Sequence, residues 1–199
     1  MSRPALYFIR HGETEWNVLG KLQGTIDVPL NDRGREQSAN AATILAGLLA
    51  RDGRQASSFD FVASPLRRAR ETMEIVRRAL QLPPQQYAVD DRLREIAYGK
   101  WEGLTMEQAE ERDPEVFAKR LADKWVVAAP GGESYAAVQA RVSGWYAGLG
   151  ADTIVVAHGG TARALMVILG FRTPHDAADL YIEQGVVHVF SEGQLAKYS

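Results

Sequence analysis

The stretch ALYFIRHGETEWN, residues 5–17, decides the fold because a short apolar run ends abruptly in Arg10, His11 and Gly12. Such a run is typical of a buried strand, and the polar residues after it predict a loop. In open α/β sheets, ligands bind at the carboxyl ends of the strands. The sequence therefore places two chemically useful side chains where a ligand would lie. A neutral imidazole can act as a nucleophile, and a guanidinium can bind phosphate through two hydrogen bonds.

Two further apolar runs, residues 59–63 and 153–157, also end in polar signatures. The first is followed by SPLRR at 64–68 and the second by HGGT at 158–161. If the three strands are parallel, their carboxyl ends lie along one edge of the sheet and the signatures converge. Each signature alone would be weak evidence, but their equivalent placement favours a shared site.

The rest of the chain alternates strand and helix patterns. Periodicity predicts helices over 32–49, 65–82, 134–149 and 160–169, with Asn31 or Asp32 and then Ser134 as N-caps. Residues 186–190 read as a fourth strand, with a weaker partner at 194–198. This alternation predicts a three-layer α/β/α sandwich with a mostly parallel central sheet. The charged, weakly helical stretch 105–125 could be an insertion that lies over the site.

Composition excludes several classes of protein. The 199 residues fit one domain, and the absence of cysteine excludes disulfides, thiolate metal sites and a cysteine nucleophile. With a net charge of -2 and no basic stripe, the chain is not expected to bind nucleic acid. Its N-terminal apolar run is too short for a signal peptide, and no run approaches a membrane span. We expect a cytoplasmic protein without membrane contact.

Helical geometry singles out Arg68. At 100° per residue, it is the only charged side chain on the apolar half of the predicted helix 65–82, whereas Arg67 lies on the polar half. A buried, unpaired guanidinium is costly, so Arg68 is expected to have an anionic partner or ligand. The alternative is that it lies in the first turn and bends out to solvent.

The sequence evidence for a functional role is weaker for the histidines and for Glu95. His11 and His158 each follow a strand and precede a glycine, and Gly159 with Gly160 offers amide donors to an anion at a helix start. No metal site is expected, because the four histidines lack metal-ligand spacing and cysteine is absent. His175 and His188 have no supporting context and are interpreted as structural or surface residues. Glu95, in a loop-like stretch, could be a general acid or an ordinary surface ion-pair residue.

Together the motifs resemble the histidine phosphatase superfamily, in its phosphoglycerate mutase-like branch. Six segments occur in the family order and span most of the chain: RHGETEWN at 10–17, LQGTIDVPLNDRGREQ at 22–37, SPLRRARET at 64–72, LREIAYGKWEG at 93–103, PGGES at 130–134 and AHGGTARAL at 157–165. The resemblance implies one histidine phosphatase domain over 1–199, with a lid insertion around 104–130.

The resemblance also implies a role for each matching residue. His11 matches the histidine that is phosphorylated during turnover, and Gly12 matches the residue that orients it through its backbone. Arg10, Arg68 and a protonated His158 surround the phosphoryl oxygens, and Glu95 is the general acid and base. The remaining matches line the phosphate and substrate pocket: Asn17, Gln23, Gly24 and the backbone at Gly159. No metal is required, since cationic side chains stabilise the transferring phosphoryl group.

Phosphatase and mutase are the two activities that the resemblance allows. The segment 104–129 is short for a mutase and the PGGES motif looks like that of the small phosphatases, so we expect a phosphatase without cofactor. A mutase would need a 2,3-bisphosphoglycerate primer. A non-catalytic module that binds phosphorylated ligands is a third, remote alternative.

The substrate is expected to be a small phosphorylated molecule. Four cationic residues around the insertion could bind a carboxylate or second phosphate, or could equally be solvated: Arg112, Lys119, Arg120 and Lys124. A homodimer formed through an exposed edge strand would be compatible with the sequence.

Overall fold

The computed structural model describes residues 4–199, in which a six-stranded sheet lies between two layers of helices. Residues 1–3, which bear on the expectation about a signal peptide, lie outside the described part. The strands are β1 (Leu6–Arg10), β2 (Asp60–Ala63), β3 (Ala88–Val89), β4 (Thr153–Ala157), β5 (Val187–Ser191) and β6 (Gln194–Tyr198). Their order is β3-β2-β4-β1-β5-β6. The first four are parallel and the last two are antiparallel, which confirms the mostly parallel sheet.

Helices cover both faces of the sheet. They are α1 (Glu15–Val18), α2 (Asp32–Arg51), α3 (Arg67–Ala79), α4 (Met106–Arg112), α5 (Pro114–Ala122), α6 (Tyr135–Tyr146), α7 (Gly159–Ile168) and α8 (Pro174–Ala178). Successive strand residues point to opposite faces, so Tyr7 and Ile9 pack with α2 and α3 while Leu6 and Phe8 pack with α6 and α7. These two apolar clusters confirm the three-layer sandwich. Within residues 4–199, no helix combines the length and the apolarity needed to cross a membrane.

The carboxyl ends of β1, β2 and β4 lie side by side, as the polar signatures predict. Arg10 is paired with Ala157 and Ala63 with Val156. The pairing continues by one hydrogen bond on each side, because the His11 amide donates to Ala157 O and the Ser64 amide to Val156 O, both at 3.0 Å. The three signatures therefore start from adjacent points on one sheet edge.

Helix α3 starts two residues later than predicted. Leu66 is the N-cap and is extended, with ψ of 137°, so Pro65 and Leu66 precede the first helical residue. The elements that periodicity did not predict are β3, α1 and α8, each five residues or fewer, which is too short to show a period.

The segment 104–130 contains α4 and α5 and packs with the preceding loop around a small apolar core. Trp101, Ala109, Phe117 and Ala129 are buried together in this core. Helix α4 begins with a capping box in which Thr105 accepts the Gln108 amide and the Gln108 side chain accepts the Thr105 amide. The segment borders a cavity that also contacts α7 and α8. Its action as a lid stays a prediction.

Candidate active site

A polar cavity of about 190 Å³ lies at the carboxyl ends of β1, β2 and β4. It is lined by Arg10, His11, Asn17, Lys21, Leu22, Gln23, Gly24, Arg68, Glu95, Tyr98, Gly159 and Arg163. Eight of the nine residues proposed from the sequence belong to this set. The ninth, His158, is fully buried behind it, with its ring centroid 5.1 Å from that of His11.

His11 is held with one ring nitrogen bonded and the other free to react. Its Nδ1 lies 2.7 Å from the carbonyl oxygen of Gly12, an acceptor, so Nδ1 carries the proton and Nε2 carries the lone pair. Burial, together with the nearby charges of Arg68 and Arg10, holds the pKa of His11 well below its usual value of 6.5. The free protein thus presents a neutral imidazole, the form that acts as a nucleophile.

Gly12 fixes the position of this histidine because no larger residue fits there. A Cβ at Gly12 would lie 2.0 Å from the carbonyl oxygen of Gly34, at the start of α2. The Gly12 amide also donates to Thr72 Oγ1 at 3.1 Å, which ties the loop after β1 to α3. The orienting role implied for Gly12 therefore has a direct geometric basis.

Arg68 points inward, as the helical geometry predicts. Its guanidinium is fully buried and donates to the carbonyl oxygens of Ile26 at 2.8 Å and Gly24 at 2.9 Å. Throughout residues 4–199 no carboxylate is within ion-pair distance of Arg68. Burial lowers the pKa of Arg68 to about 10, so it is still charged at neutral pH. The alternative of a solvent-facing Arg68 is wrong, whereas Arg67 is exposed as expected.

Arg10 provides a second, partly buried cation beside His11. One of its terminal nitrogens donates to the carbonyl oxygen of Ile182, while Nε is buried without a partner. Burial lowers the pKa of Arg10, and the Glu95 carboxylate partly offsets this effect. Arg10 and Arg68 together place two guanidinium groups around the His11 ring.

Without a bound anion, the environment of His158 favours the neutral ring, and the protonated ring that the resemblance implies during phosphoryl transfer stays a prediction. Burial and the charge of Arg68 hold the pKa of His158 well below 6.5. Its Nε2 lies 2.6 Å from Ser64 Oγ, and its Nδ1 is buried without a partner. If the Ser64 hydroxyl donates to Nε2, Nδ1 carries the hydrogen and can donate to an anion without a charged ring.

Glu95 lies in the cavity rather than in a surface ion pair. Its Oε1 accepts the amides of Ile96 and Gly160, both at 2.9 Å. A Cβ at Gly160 would lie 2.2 Å from the same oxygen, so this glycine at the start of α7 makes room for the carboxylate. The other oxygen, Oε2, makes no hydrogen bond with residues 4–199 in the structure.

The PGGES segment supports the loop that carries Glu95. Glu133 accepts the Ala97 amide at 3.0 Å and forms a two-pronged ion pair with Arg141. Arg141 in turn donates to the carbonyl oxygen of Glu95 at 3.2 Å. Glu133 and Arg141 thus position the Glu95 backbone without lining the cavity.

The three remaining pocket residues differ in what they offer. Asn17 Oδ1 is used by the Thr14 amide in the cap of α1 and by Gln184. Gln23 Oε1 is buried without a partner. Gly24 has a φ of +51°, and a Cβ there would lie 2.0 Å from Glu102 Oε1, so the glycine is required for its carbonyl to reach Arg68.

Lys21, Tyr98 and Arg163 line the cavity but were not singled out from the sequence. Arg163 could have been identified from the sequence, because it stands four residues after Gly159 and so projects from the same face of α7. It donates to Leu180 O at 2.9 Å and to the Tyr135 hydroxyl at 3.2 Å. Lys21 and Tyr98 stand in loops, where periodicity gives no direction for a side chain.

Neither His175 nor His188 lines the cavity. His175 is exposed on α8 and His188 is buried in β5. In the part of the chain that the structure describes, no cluster of three or more histidine, aspartate or glutamate side chains is arranged to hold a metal ion.

Comparison with known proteins gives one family. The family described as the histidine phosphatase superfamily (branch 1) matches residues 6–192. A bifunctional protein of Mycobacterium tuberculosis is 38% identical over 169 residues, 85% of this chain and 41% of that protein. Phosphoserine phosphatase 1 of Hydrogenobacter thermophilus is 36% identical over 70% of this chain and 61% of its own length. The chain thus spans about two fifths to three fifths of the length of these relatives.

Two longer matches cover nearly all of this chain. The 2,3-bisphosphoglycerate-dependent phosphoglycerate mutase of Beijerinckia indica is 29% identical over 93% of this chain and 90% of the mutase. Among solved structures, the α-ribazole phosphatase of Shigella flexneri superposes with a TM-score of 0.80 at 26% identity, covering 96% of this chain and 93% of that one. The similar proteins thus include phosphatases and mutases.

Proposed function

Since the chain belongs to branch 1 of the histidine phosphatase superfamily, we propose that it is a metal-independent phosphomonoesterase that acts on a small phosphorylated metabolite through a phosphohistidine at His11. The observation that carries the proposal is the His11 ring. Its Nδ1 is bound to Gly12 O, and its low pKa keeps it neutral beside the buried guanidinium of Arg68 and the partly buried guanidinium of Arg10. Phosphatases among the similar proteins support the hydrolase assignment.

In the first step, His11 Nε2 attacks phosphorus in line with the ester oxygen. The N–P bond forms as the P–O bond to the alcohol breaks, and charge develops on the phosphoryl oxygens. Arg10 and Arg68 stabilise this charge, which is the main contribution to phosphoryl-transfer catalysis. His158 donates to one of these oxygens through Nδ1. Because two cationic side chains already lie beside the phosphoryl dianion, no metal ion is required to neutralise its charge.

Glu95 handles the proton of the leaving group. In its protonated form it gives a proton to the departing alkoxide, which leaves as the free alcohol. The resulting carboxylate then takes a proton from water, which attacks the phosphohistidine and releases phosphate. His11 returns to its neutral form and Glu95 to its protonated form, so the cycle is balanced.

The mutase activity is the second candidate, and the mutase match over 93% of this chain favours it. A mutase would pass the phosphoryl group from His11 to a second hydroxyl and would need a bisphosphoglycerate primer. The hydrolase is preferred because the segment 104–129 is short, and a short lid should let water reach the phosphohistidine.

Phosphate release from a panel of phosphomonoesters with a chelator present tests the proposal. We expect release that His11→Ala abolishes while the variant keeps its thermal unfolding transition. The same reactions, supplied with 3-phosphoglycerate and a bisphosphoglycerate primer, are assayed for 2-phosphoglycerate. Isomerisation with little phosphate release would establish the mutase, and full activity of His11→Ala would contradict both.

A further inference from the structure

Two buried hydroxyl groups meet beside the loop that carries His11. They belong to Ser38 of α2 and Thr72 of α3, which are 1% and 0% exposed. Their oxygen atoms lie 3.1 Å apart, and either hydroxyl can be the donor. Neither residue lines the catalytic cavity. Burying a hydroxyl is costly unless its hydrogen bonds are made, so the partners of this pair show what it holds in place.

The Thr72 hydroxyl holds the residue that follows the nucleophile. The Gly12 amide donates to Thr72 Oγ1 at 3.1 Å, and within residues 4–199 this amide makes no other hydrogen bond. The Gly12 carbonyl oxygen accepts a hydrogen bond from Nδ1 of His11, 2.7 Å away. Gly12 is therefore bonded to Thr72 through its amide and to the catalytic ring through its carbonyl. The orientation of the ring thus depends on the threonine hydroxyl.

The same hydroxyl is bonded to the backbone of Arg68. Thr72 Oγ1 donates to the carbonyl oxygen of Arg68 at 2.9 Å, one turn earlier in α3. One side chain therefore connects the loop of the attacking His11 to the arginine that stabilises the phosphoryl oxygens. In-line transfer needs these two groups at a fixed spacing, and a misplacement of about 1 Å can cost on the order of 10²-fold in rate.

Ser38 extends this connection to α2. Its hydroxyl donates to the carbonyl oxygen of Gly34 at 2.7 Å. The same carbonyl oxygen would lie 2.0 Å from a Cβ at Gly12. Contact with Gly34 therefore blocks movement of Gly12 toward α2, while the bond to Thr72 keeps Gly12 against α3.

Position 72 needs a hydrogen-bond acceptor as well as a side chain of suitable shape. Valine would fill a similar volume but would leave the Gly12 amide without its partner. Gly12 is buried, so the loop would have to move for this amide to reach water or another acceptor. Serine would keep the acceptor and lose only a methyl group. The two substitutions therefore separate the effect of the hydrogen bond from that of packing.

We propose that Thr72, supported by Ser38, is a positioning residue for phosphoryl transfer. Its hydroxyl holds Gly12 so that His11 Nε2 faces the phosphorus atom, and it sets the spacing between that nitrogen and the Arg68 guanidinium. Thr72 acts through these groups and does not touch the substrate. The inference rests on the proposed function, because it specifies how the nucleophile of that function is aligned.

Kinetics of three threonine variants test the proposal. Thr72→Val should lower kcat about 10- to 100-fold and change KM less than about 3-fold, because the groups that bind phosphate remain while alignment is lost. Thr72→Ser should keep kcat within about 3-fold of the wild type, because it retains the acceptor. Thr153→Val is the matched control and should leave kcat unchanged. Thr153 is also 0% exposed, and its hydroxyl donates to Ala151 O at 2.9 Å, at the opposite end of β4 from His158.

Two kinetic outcomes would overturn the proposal. The first is a Thr72→Val variant whose kcat stays within about 3-fold of the wild type. The second is an equal loss of kcat in Thr72→Val and in either Thr72→Ser or Thr153→Val, which would indicate a general packing defect.

The tautomer of His11 gives a readout that needs no turnover. Nuclear magnetic resonance of protein with isotope-labelled histidine shows which ring nitrogen carries the proton, and the His11 signals are assigned by their absence in His11→Ala. The wild type and Thr72→Ser should show the Nδ1–H form, whereas Thr72→Val should show a mixture with the Nε2–H form. An unchanged His11 spectrum in Thr72→Val would overturn the proposal. Absence of ester hydrolysis by the wild type would instead contradict the proposed function alone.

Ser38→Ala is a second variant should Thr72→Val lack a cooperative unfolding transition. It removes one hydrogen bond to Gly34 O and leaves the Thr72 hydroxyl in place. We expect kcat to fall about 3- to 10-fold, the effect of one hydrogen bond, with the same direction of change in the His11 spectrum. A wild-type kcat and spectrum in Ser38→Ala would then overturn the proposal.

Discussion

At the scale of single residues, buried polar atoms that lack hydrogen-bond partners mark the site. Five buried side-chain atoms in residues 4–199 lack a hydrogen-bond partner, and four of them belong to Arg10, Gln23, Arg68 and His158 at the catalytic cavity. Such atoms are rare in folded proteins because each costs desolvation energy. Three of these groups can donate hydrogen bonds, so a phosphoryl group at His11 would offer them acceptors.

The buried histidines predict that the protein loses stability in mild acid. The pKa values of His11 and His158 are depressed in the folded protein, whereas in the unfolded chain they are near 6.5. The unfolded state therefore takes up more protons as the pH falls below about 6.5. Stability is fully present above that pH and falls as the pH drops below it. His188 shifts in the same direction.

Urea unfolding between pH 7.5 and 5.5 measures this loss, with and without inorganic phosphate. Phosphate should reduce the loss, because a bound anion favours the protonated rings. His158→Asn should also reduce it, and the exposed control His175→Asn should not. Stability that stays constant or rises on acidification would show that the rings are not held neutral.

Some site residues could be predicted from the sequence because periodicity indicates which way their side chains point. Others, in loops, could not. Arg68 was found as the one charge on the apolar half of a helix. Glu95 lies in a loop without a period, so its place in the cavity depends on amide bonds to Ile96 and Gly160 that only the folded chain brings together. Gln23 and Gly24 were available only through the family resemblance.

At the scale of elements, long patterns were predicted well and short elements were missed. The strands that end at Arg10, Ala63 and Ala157 were predicted to within one residue at either end, since buried parallel strands read as apolar runs. The two-residue β3 depends on a contact distant in sequence, whereas the four-residue α1 has a local capping box between Thr14 and Asn17 and is too short to show a period. The short β3 is held by its parallel pairing with β2.

The loop after β1 crosses over α2. We therefore predict that alanine substitutions at two glycines of this helix have opposite effects on the free energy of unfolding. A Cβ at Gly34 would lie 2.1 Å from the carbonyl oxygen of Glu13, whereas a Cβ at Gly47 meets nothing within 4 Å. Gly34→Ala should cost roughly 1–3 kcal/mol of unfolding free energy and reduce activity by shifting His11. Gly47→Ala should add about 0.5–1 kcal/mol with activity unchanged. Urea unfolding checks both, and equal effects would contradict the crossing.

The link between the PGGES segment and the Glu95 loop predicts a positioning effect. Glu133→Gln weakens the bond to Arg141, which also donates to Glu95 O. We expect kcat to fall about 3- to 10-fold, the value of one or two hydrogen bonds, with a smaller change in KM. A leaving group of low pKa, such as p-nitrophenolate, should reduce the effect, because it needs less proton donation. An equal loss with both kinds of ester would indicate a general structural defect.

At the scale of the whole molecule, the fold collects positive charge that the chain as a whole does not have. The net charge is -2, yet two neighbouring cavities that share Tyr98 and Arg163 in their linings are bordered by Arg10, Lys21, Arg68, Arg120, Lys124 and Arg163. The sequence could not tell which of the cationic residues around 104–130 would turn inward. In the structure Arg120 and Lys124 line a cavity that α7 and α8 also border, whereas Arg112 and Lys119 are exposed.

The central claim is that His11 carries the phosphoryl group during turnover. The most direct measurement is a rapid alkaline quench of the enzyme with saturating substrate, followed by mass spectrometry of the peptide that contains His11. The account predicts one phosphoryl group on His11 during turnover, lost when substrate is exhausted and absent in His11→Ala. Turnover with no label on His11, or with the label on another residue, would contradict it.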